Sequence, residues 1–185
     1  MDCNMVHLKN IRSIPVKELQ ILANNEVIAR NLKDGFPHPY TLTNAKDFIR
    51  LARQGLLGHA FGIFNDDTFI GIGSIVPQRD IYRNNGEIGY WLGQPYWGKG
   101  YGKKTVELLT AYAFEKLNLI RVFAGVFANN KASMKVLENS GYKLEVILKS
   151  SIVKNGIIAD EYLYSILNVN NEQYLNQVAK AQDLT

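Results

Sequence analysis

The chain has 185 residues, 46% of them hydrophobic and 21% charged, which is enough length and apolar content for one packed core. Its net charge of +4 comes from scattered basic residues with no basic helical stripe, which puts solubility and an anionic ligand ahead of nucleic acid. A lone cysteine, Cys3, excludes an internal disulfide and suits a reducing cytosol, while the longest apolar run, 69–76, is far short of the roughly 20 residues of a membrane span.

In chain order, Val6 to Ile14 reads as an opening strand stopped by Pro15, which suits the first turn of a helix carrying Val16, Leu19, Ile21 and Leu22. The N-terminus, with Asp2 and Asn4, carries no apolar secretory signal. A short helix over about 25–30 precedes a loop from Asn31 to Tyr40, stiffened by Pro37 and Pro39. Thr43 is placed to cap a helix over about 44–54. Strands over 60–64 and 68–74 flank Asn65-Asp66-Asp67, residues that tolerate left-handed turns. Pro77 and the Asn84-Asn85-Gly86 turn signal then deliver the chain into a strand from Glu87 to Leu92.

After a glycine loop, Val106, Leu109, Ala113 and Leu117 line one face of a helix over 103–117. Arg121 to Phe127 reads as a strand ended by Asn129-Asn130, and Ser133 opens a helix to about Asn139 that Gly141 stops. Segments 142–150 and 157–167 flank Asn155-Gly156, a strong hairpin signal. The polar tail from Asn168 has room for one helical turn. No repeat or linker interrupts this order, so residues 1–185 are expected to form a single domain. The predicted class is α+β, a three-layer α/β sandwich. Its mixed sheet is mostly antiparallel, and parallel only where the 103–117 helix joins two strands.

The loop Gly93-Gln94-Pro95-Tyr96-Trp97-Gly98-Lys99-Gly100-Tyr101-Gly102 sits between a strand and a helix. Glycines let backbone approach a ligand, and the unpaired N–H groups and dipole of a helix start favour phosphate. A dinucleotide fingerprint fails because Lys103 stands where its third glycine belongs. Gly93 to Lys99 fits the start of a P-loop, yet Gly100 replaces the Ser or Thr that holds magnesium, which argues against a nucleotide hydrolase.

Trp97-Gly98-Lys99-Gly100-Tyr101-Gly102 resembles the coenzyme A pyrophosphate loop of the GNAT N-acetyltransferases, with Trp97 in place of the usual Gln or Arg. Three further segments match in order: Glu87 to Leu92, Asn130-Lys131-Ala132-Ser133, and Glu138-Asn139-Ser140-Gly141-Tyr142. The chain is most similar to the branch of the ribosomal-protein alanine acetyltransferases RimJ and RimL. The resemblance implies a cytoplasmic enzyme using acetyl-CoA and no metal, with no membrane or nucleic-acid partner and with a homodimer left open. It implies a cofactor-binding core over about 60–167 and acceptor-side helices and loop over about 15–57. Cofactor contacts fall to Tyr90, Trp91, Leu92, Trp97, Gly98, Lys99, Gly100, Tyr101, Gly102, Asn130 and Ser133, and acceptor contacts to Phe36, His38 and Tyr40.

Acetyl transfer to an amine needs a neutral amine, a stabilised oxyanion and a proton for the departing thiolate. A lysine amine is neutral in only about one molecule in 10³ at pH 7, an α-amine in about one in ten, so a base matters more for lysine. Glu87, at the start of the motif strand, is the candidate base, ahead of Asp160 and Glu161; its other reading is an ionic or hydrogen-bond hold on a loop or a neighbouring strand. The oxyanion donor is expected among the backbone N–H groups of 89–92. Where many members of the resembling family carry a tyrosine acid, this chain has Leu137, and the resemblance to the RimL-like branch, which has a serine at the position of Ser133, implies that Ser133 is the donor near the thiol. Ser133 also reads as a helix cap, Asn130 as a strand-end cap, His38 as a solvated loop residue, and Phe36, Tyr40 and Tyr142 as core aromatics. The acceptor reads as a protein N-terminal α-amine or a small amine such as a polyamine. The alternative is a non-catalytic acyl-CoA sensor or interaction module on the same fold.

Overall fold

The computed structural model describes residues 5–182 and consists of one mixed sheet with helices on both faces. Cys3 lies outside the described residues. The strands are β1 (Val6–Asn10), β2 (His59–Asn65), β3 (Thr68–Pro77), β4 (Asn85–Leu92), β5 (Arg121–Phe127), β6 (Lys143–Lys154) and β7 (Ile157–Leu167). They lie side by side in the order β1-β2-β3-β4-β5-β7-β6. The helices are α1 (Val16–Ala23), α2 (Glu26–Ala29), α3 (Leu42–Arg53), α4 (Tyr101–Glu115), α5 (Lys131–Asn139) and α6 (Glu172–Gln182). Every pairing is antiparallel except β4 with β5, the two strands that α4 connects.

Strand alternation sends neighbouring residues to opposite faces, and each face has its own core. Leu19 of α1 and Ala45 and Ile49 of α3 pack with Phe64 and Ile72 on one side. Val106, Leu109 and Ala113 of α4 and Leu137 of α5 pack with Ile75, Ile88 and Val122 on the other. Leu109 and Gly73 fit closely: a Cβ on Gly73 would lie 3.1 Å from the leucine Cδ1. Among the described residues no helix is long and apolar enough to cross a membrane.

Several boundaries differ from the sequence reading. The opening strand stops at Asn10, because the Asn10 side chain accepts from the Arg12 N–H and turns Ile11–Ser13 into a 3-10 helix. Thr41, not Thr43, caps α3: its hydroxyl accepts from the Asn44 N–H while Asn44 reaches back to the Thr41 N–H, a reciprocal box. Asn130 caps α5 by accepting from the Ser133 N–H, so Ser133 lies inside the helix. The tail forms the 11-residue α6 instead of a single turn. Its start is fixed by Asn171, whose side chain accepts from the Gln173 and Tyr174 N–H groups.

Leu109→Ala should lower the unfolding free energy by about 3 kcal/mol in a chemical denaturation series, since the site is fully enclosed by α4 and the sheet. A change under about 1 kcal/mol would mean the two layers are less tightly joined than this.

Candidate active site

The parallel ladder between β4 and β5 runs only through Asn85–Arg121, Gly86–Val122 and Glu87–Phe123. Beyond it β4 continues to Leu92 and β5 to Phe127 without pairing to each other, so a wedge opens in the middle of the sheet. The strands are parallel, so their open ends point the same way, and the helices that follow them, α4 and α5, both begin at that end.

The backbone of β4 offers donors to the wedge. Gln78 N–H donates to the Asn85 carbonyl, and Gly93 N–H to the Ile70 carbonyl, each at 2.8 Å. Antiparallel ladders repeat every two residues, so the odd-numbered residues of β4 bond to β3 and the even-numbered ones turn their N–H toward β5. Ile88 N–H faces the carbonyl of Phe123, the last β5 residue in the ladder, and beyond it the even-numbered residues are Tyr90 and Leu92.

Gly98 and Gly100 adopt φ of +73° and +80°, and a Cβ on either would meet no atom within 4 Å. The left-handed backbone requires glycine there, and the space beside it is open. Gly100 is the N-cap of α4 and has no side chain to offer, so no side-chain cap meets the first-turn N–H groups of α4, those of Tyr101, Gly102 and Lys103. Trp97 ties the loop to the sheet by donating its indole N–H to the Leu92 carbonyl at 2.7 Å. Gln94 is held from the other side by the Asn25 amide at 2.7 Å. A Cβ on Gly102 would lie 3.3 Å from Val136 and 3.9 Å from the Tyr90 ring, so α4, α5 and β4 converge there.

Tyr90 and Ser133 meet hydroxyl to hydroxyl at 3.3 Å, joining β4 to the first turn of α5. Burial pushes the Tyr90 phenol up to about 12 from its ordinary 10.0, with the Ser133 bond acting weakly the other way, so the group is a neutral hydroxyl near pH 7. Leu137 is fully buried in the α4–α5 core. Tyr142 is buried beside it and bonds to the Thr110 hydroxyl at 2.6 Å.

The opposite face of β4 carries Glu87 and Trp91. Glu87 forms an ion pair with Lys33, from the loop between α2 and α3, at 2.9 Å. Trp91 packs edge-on against Phe36 with ring centres 5.8 Å apart, and Phe36 lies 4.9 Å from Tyr40. Tyr40 is buried in the α1–α3 core, and its hydroxyl is likewise pushed up to about 12 by burial. His38 is exposed on the same loop. The candidate residues therefore fall into two groups: the glycine loop, Tyr90, Asn130 and Ser133 around the wedge, and Glu87, Phe36, Tyr40 and Trp91 on the α1–α3 side, where alternation turns the Trp91 ring away from the cofactor position expected for it. The side chains of Leu92 and Tyr101 belong to neither, being buried with Val6, Ile63 and Ile70. Asp160 is held by the Ser150 N–H and Lys149, which keep its carboxyl below the usual range, and Glu161 lies over Gly125.

The family model described as the acetyltransferase (GNAT) domain matches residues 8–143. This chain belongs to the GNAT acetyltransferase family. Among its relatives, a probable N-acetyltransferase YjcK of Bacillus subtilis is 38% identical over 115 residues, covering 61% of this chain and 64% of that protein, just under two thirds of its length. An uncharacterized N-acetyltransferase p20 of Bacillus licheniformis is 34% identical over 134 residues, covering 70% of this chain and 75% of that protein. In three dimensions the chain matches Mycobacterium smegmatis RimJ in complex with CoA-disulfide with a TM-score of 0.79, at 21% identity, over 95% of this chain and 89% of that one.

Within this GNAT domain, one feature went unseen in the sequence and another was only partly visible. Lys33 is 54 residues from Glu87, and no local spacing links them. The Tyr90–Ser133 pair was half legible, since alternation from the buried Ile88 puts Tyr90 on the α4–α5 face. Because the folded chain holds the Tyr90 proton up to about 12 while an unfolded tyrosine releases it near 10, stability falls as pH rises across that window. The thermal midpoint of Tyr90→Phe should therefore fall less steeply between pH 10 and 12 than that of the parent; equal slopes would contradict the buried-phenol description.

Proposed function

We propose that this chain is an acetyl-CoA-dependent N-acetyltransferase that passes the acetyl group to a primary amine by direct attack in a ternary complex. The observation that carries the reading is the end of the β4–β5 ladder at Glu87–Phe123, beside a left-handed glycine loop and an uncapped helix start. The donor set fits the cofactor: backbone N–H groups at Tyr101, Gly102 and Lys103 suit a pyrophosphate, and the wedge suits an extended pantetheine arm. Space beside Gly98 and Gly100, with no atom within 4 Å of either Cβ position, leaves room for phosphate oxygens against the backbone. Bound acetyl-CoA would supply the thioester, whose carbonyl carbon is the point of attack.

Each residue then has a task that follows from its position. The Asn130 side-chain oxygen is used by the α5 cap, which leaves its NH₂ to meet the pantetheine arm. One backbone N–H of the open β4 edge, that of Tyr90 or of Leu92, stabilises negative charge as it develops on the carbonyl oxygen, in a cleft sheltered from water. Glu87 takes the proton from the incoming amine, directly or through water. Ser133, backed by the protonated Tyr90 hydroxyl, delivers a proton to the departing sulfur. Phe36 and Tyr40 shape the acceptor side of β4, with His38 at its exposed rim. The acceptor is a protein N-terminal α-amine, as the RimJ/RimL resemblance suggests, or a small amine. The lone cysteine suits a cytosolic setting for this work.

Calorimetric titration with acetyl-CoA and with CoA should show binding of both. Gly100→Leu, which puts a large side chain at φ +80° beside the phosphate groups, should weaken both at least about tenfold. Glu87→Gln should keep the affinity but lower acetyl transfer to an alanine-terminated peptide or to spermidine by about 10²-fold. Undetectable CoA binding would overturn the reading, and unchanged turnover would remove Glu87 from the base role.

A further inference from the structure

We propose that Lys33 is itself an acetyl acceptor of this protein, a self-acetylation site on the loop that borders the acceptor side. The inference rests on the acetyl-CoA reading above and adds a substrate that reading does not name. Lys33 Nζ lies 2.9 Å from Glu87 Oε1, the carboxylate to which the base role is assigned, and so stands where an acceptor amine would present its proton. The Lys33 side chain is 76% exposed, so its flexible stem can move. The Tyr90 N–H lies three residues along β4, about 10 Å at strand rise, within the sweep of a side chain pivoting on a loop.

The loop is fastened just after Lys33. Asp34 is paired with Lys154 of the β6–β7 hairpin at 2.7 Å, and Phe36 is packed against Trp91 and Tyr40. These ties hold the Lys33 backbone over β4 while leaving the amine free to swing. Apart from Lys154 on Asp34, the other lysine ion pairs among the described residues meet carboxylates elsewhere: Asp67 on the β2–β3 turn, Glu107 on α4 and Asp160 on β7.

The chemistry balances without a further reactant. Glu87 removes one proton from the Lys33 ammonium, and the freed Nζ lone pair forms a C–N bond to the thioester carbonyl carbon. The C–S bond breaks and the sulfur leaves with the bonding pair. Of the two protons the ammonium gives up, one ends on the thiol and one in solvent. Acetylation deletes the charge on Lys33 and so breaks the pair with Glu87, freeing that carboxylate for an external amine.

The test is to incubate the full chain with acetyl-CoA in mildly alkaline buffer and follow each lysine by peptide mass mapping. Lys33 should be labelled at least about tenfold faster than the exposed Lys46 and Lys135, at a rate independent of protein concentration. Glu87→Gln should retain acetyl-CoA binding and slow Lys33 labelling by about 10²-fold, while Glu87→Asp, which keeps a carboxylate, should retain measurable labelling. Lys33→Arg should remove the fast label and leave the slow background. Labelling of Lys33 no faster than of Lys46 and Lys135, in a protein that binds acetyl-CoA, would overturn the proposal. So would a Glu87→Gln rate equal to the parent's. Failure to bind acetyl-CoA would instead sink the cofactor reading, and the self-acetylation with it.

Discussion

The early end of the β4–β5 ladder is the constraint on which the rest of the site depends. Parallel strands joined by a crossover helix normally stay paired along their length, because each unpaired N–H or carbonyl inside a protein costs free energy. Here the pairing stops at Glu87–Phe123 although both strands continue, and the sheet is held together on either side of the opening by full antiparallel ladders, β3 with β4 and β5 with β7. The unpaired edge is thus stabilised from behind. It presents backbone donors that are fixed in direction before any ligand arrives, the property that makes such donors effective in catalysis.

The same topology explains why the candidate groups gather at one end of the wedge. The parallel arrangement puts the starts of α4 and α5 at its open end, one preceded by left-handed glycines and the other capped by Asn130. Gly102 lets the two helices and Tyr90 approach, and the Tyr90–Ser133 contact closes the far wall. The opposite face of β4 is built differently, from aromatic packing and an ion pair. Strand alternation separates the two faces: even positions of β4 turn their side chains toward α4 and α5, and odd positions toward α1 and α3. An exposed pair such as Lys33–Glu87 adds little to stability, which leaves it free to break and re-form during function.

Much of this was legible in the sequence because it is local. The β5 limits, the turns around Asp66-Asp67 and Asn155-Gly156, and Val106, Leu109 and Ala113 of the buried α4 stripe follow from periodicity and turn chemistry over a few residues, whereas Leu117, read on the same stripe, lies past the end of α4. The choice of Thr41 over Thr43 as cap depended on a reciprocal bond to Asn44, a question of phase that residue type alone does not settle. The wedge was illegible from periodicity, since alternation reports which face a residue takes and not how far apart two strands lie. Lys33 was missed for another reason: its partner is set by how the α2–α3 loop folds back over β4, which no spacing in the chain encodes.

Residue-resolved amide hydrogen exchange, with and without saturating acetyl-CoA, tests the central claim most directly. The account predicts slowed exchange at Tyr101, Gly102 and Lys103, where the phosphates would sit, and at Tyr90 and Leu92 on the open edge of β4. Protection confined to other parts of the molecule, or none at these five amides in a protein that binds acetyl-CoA, would contradict it.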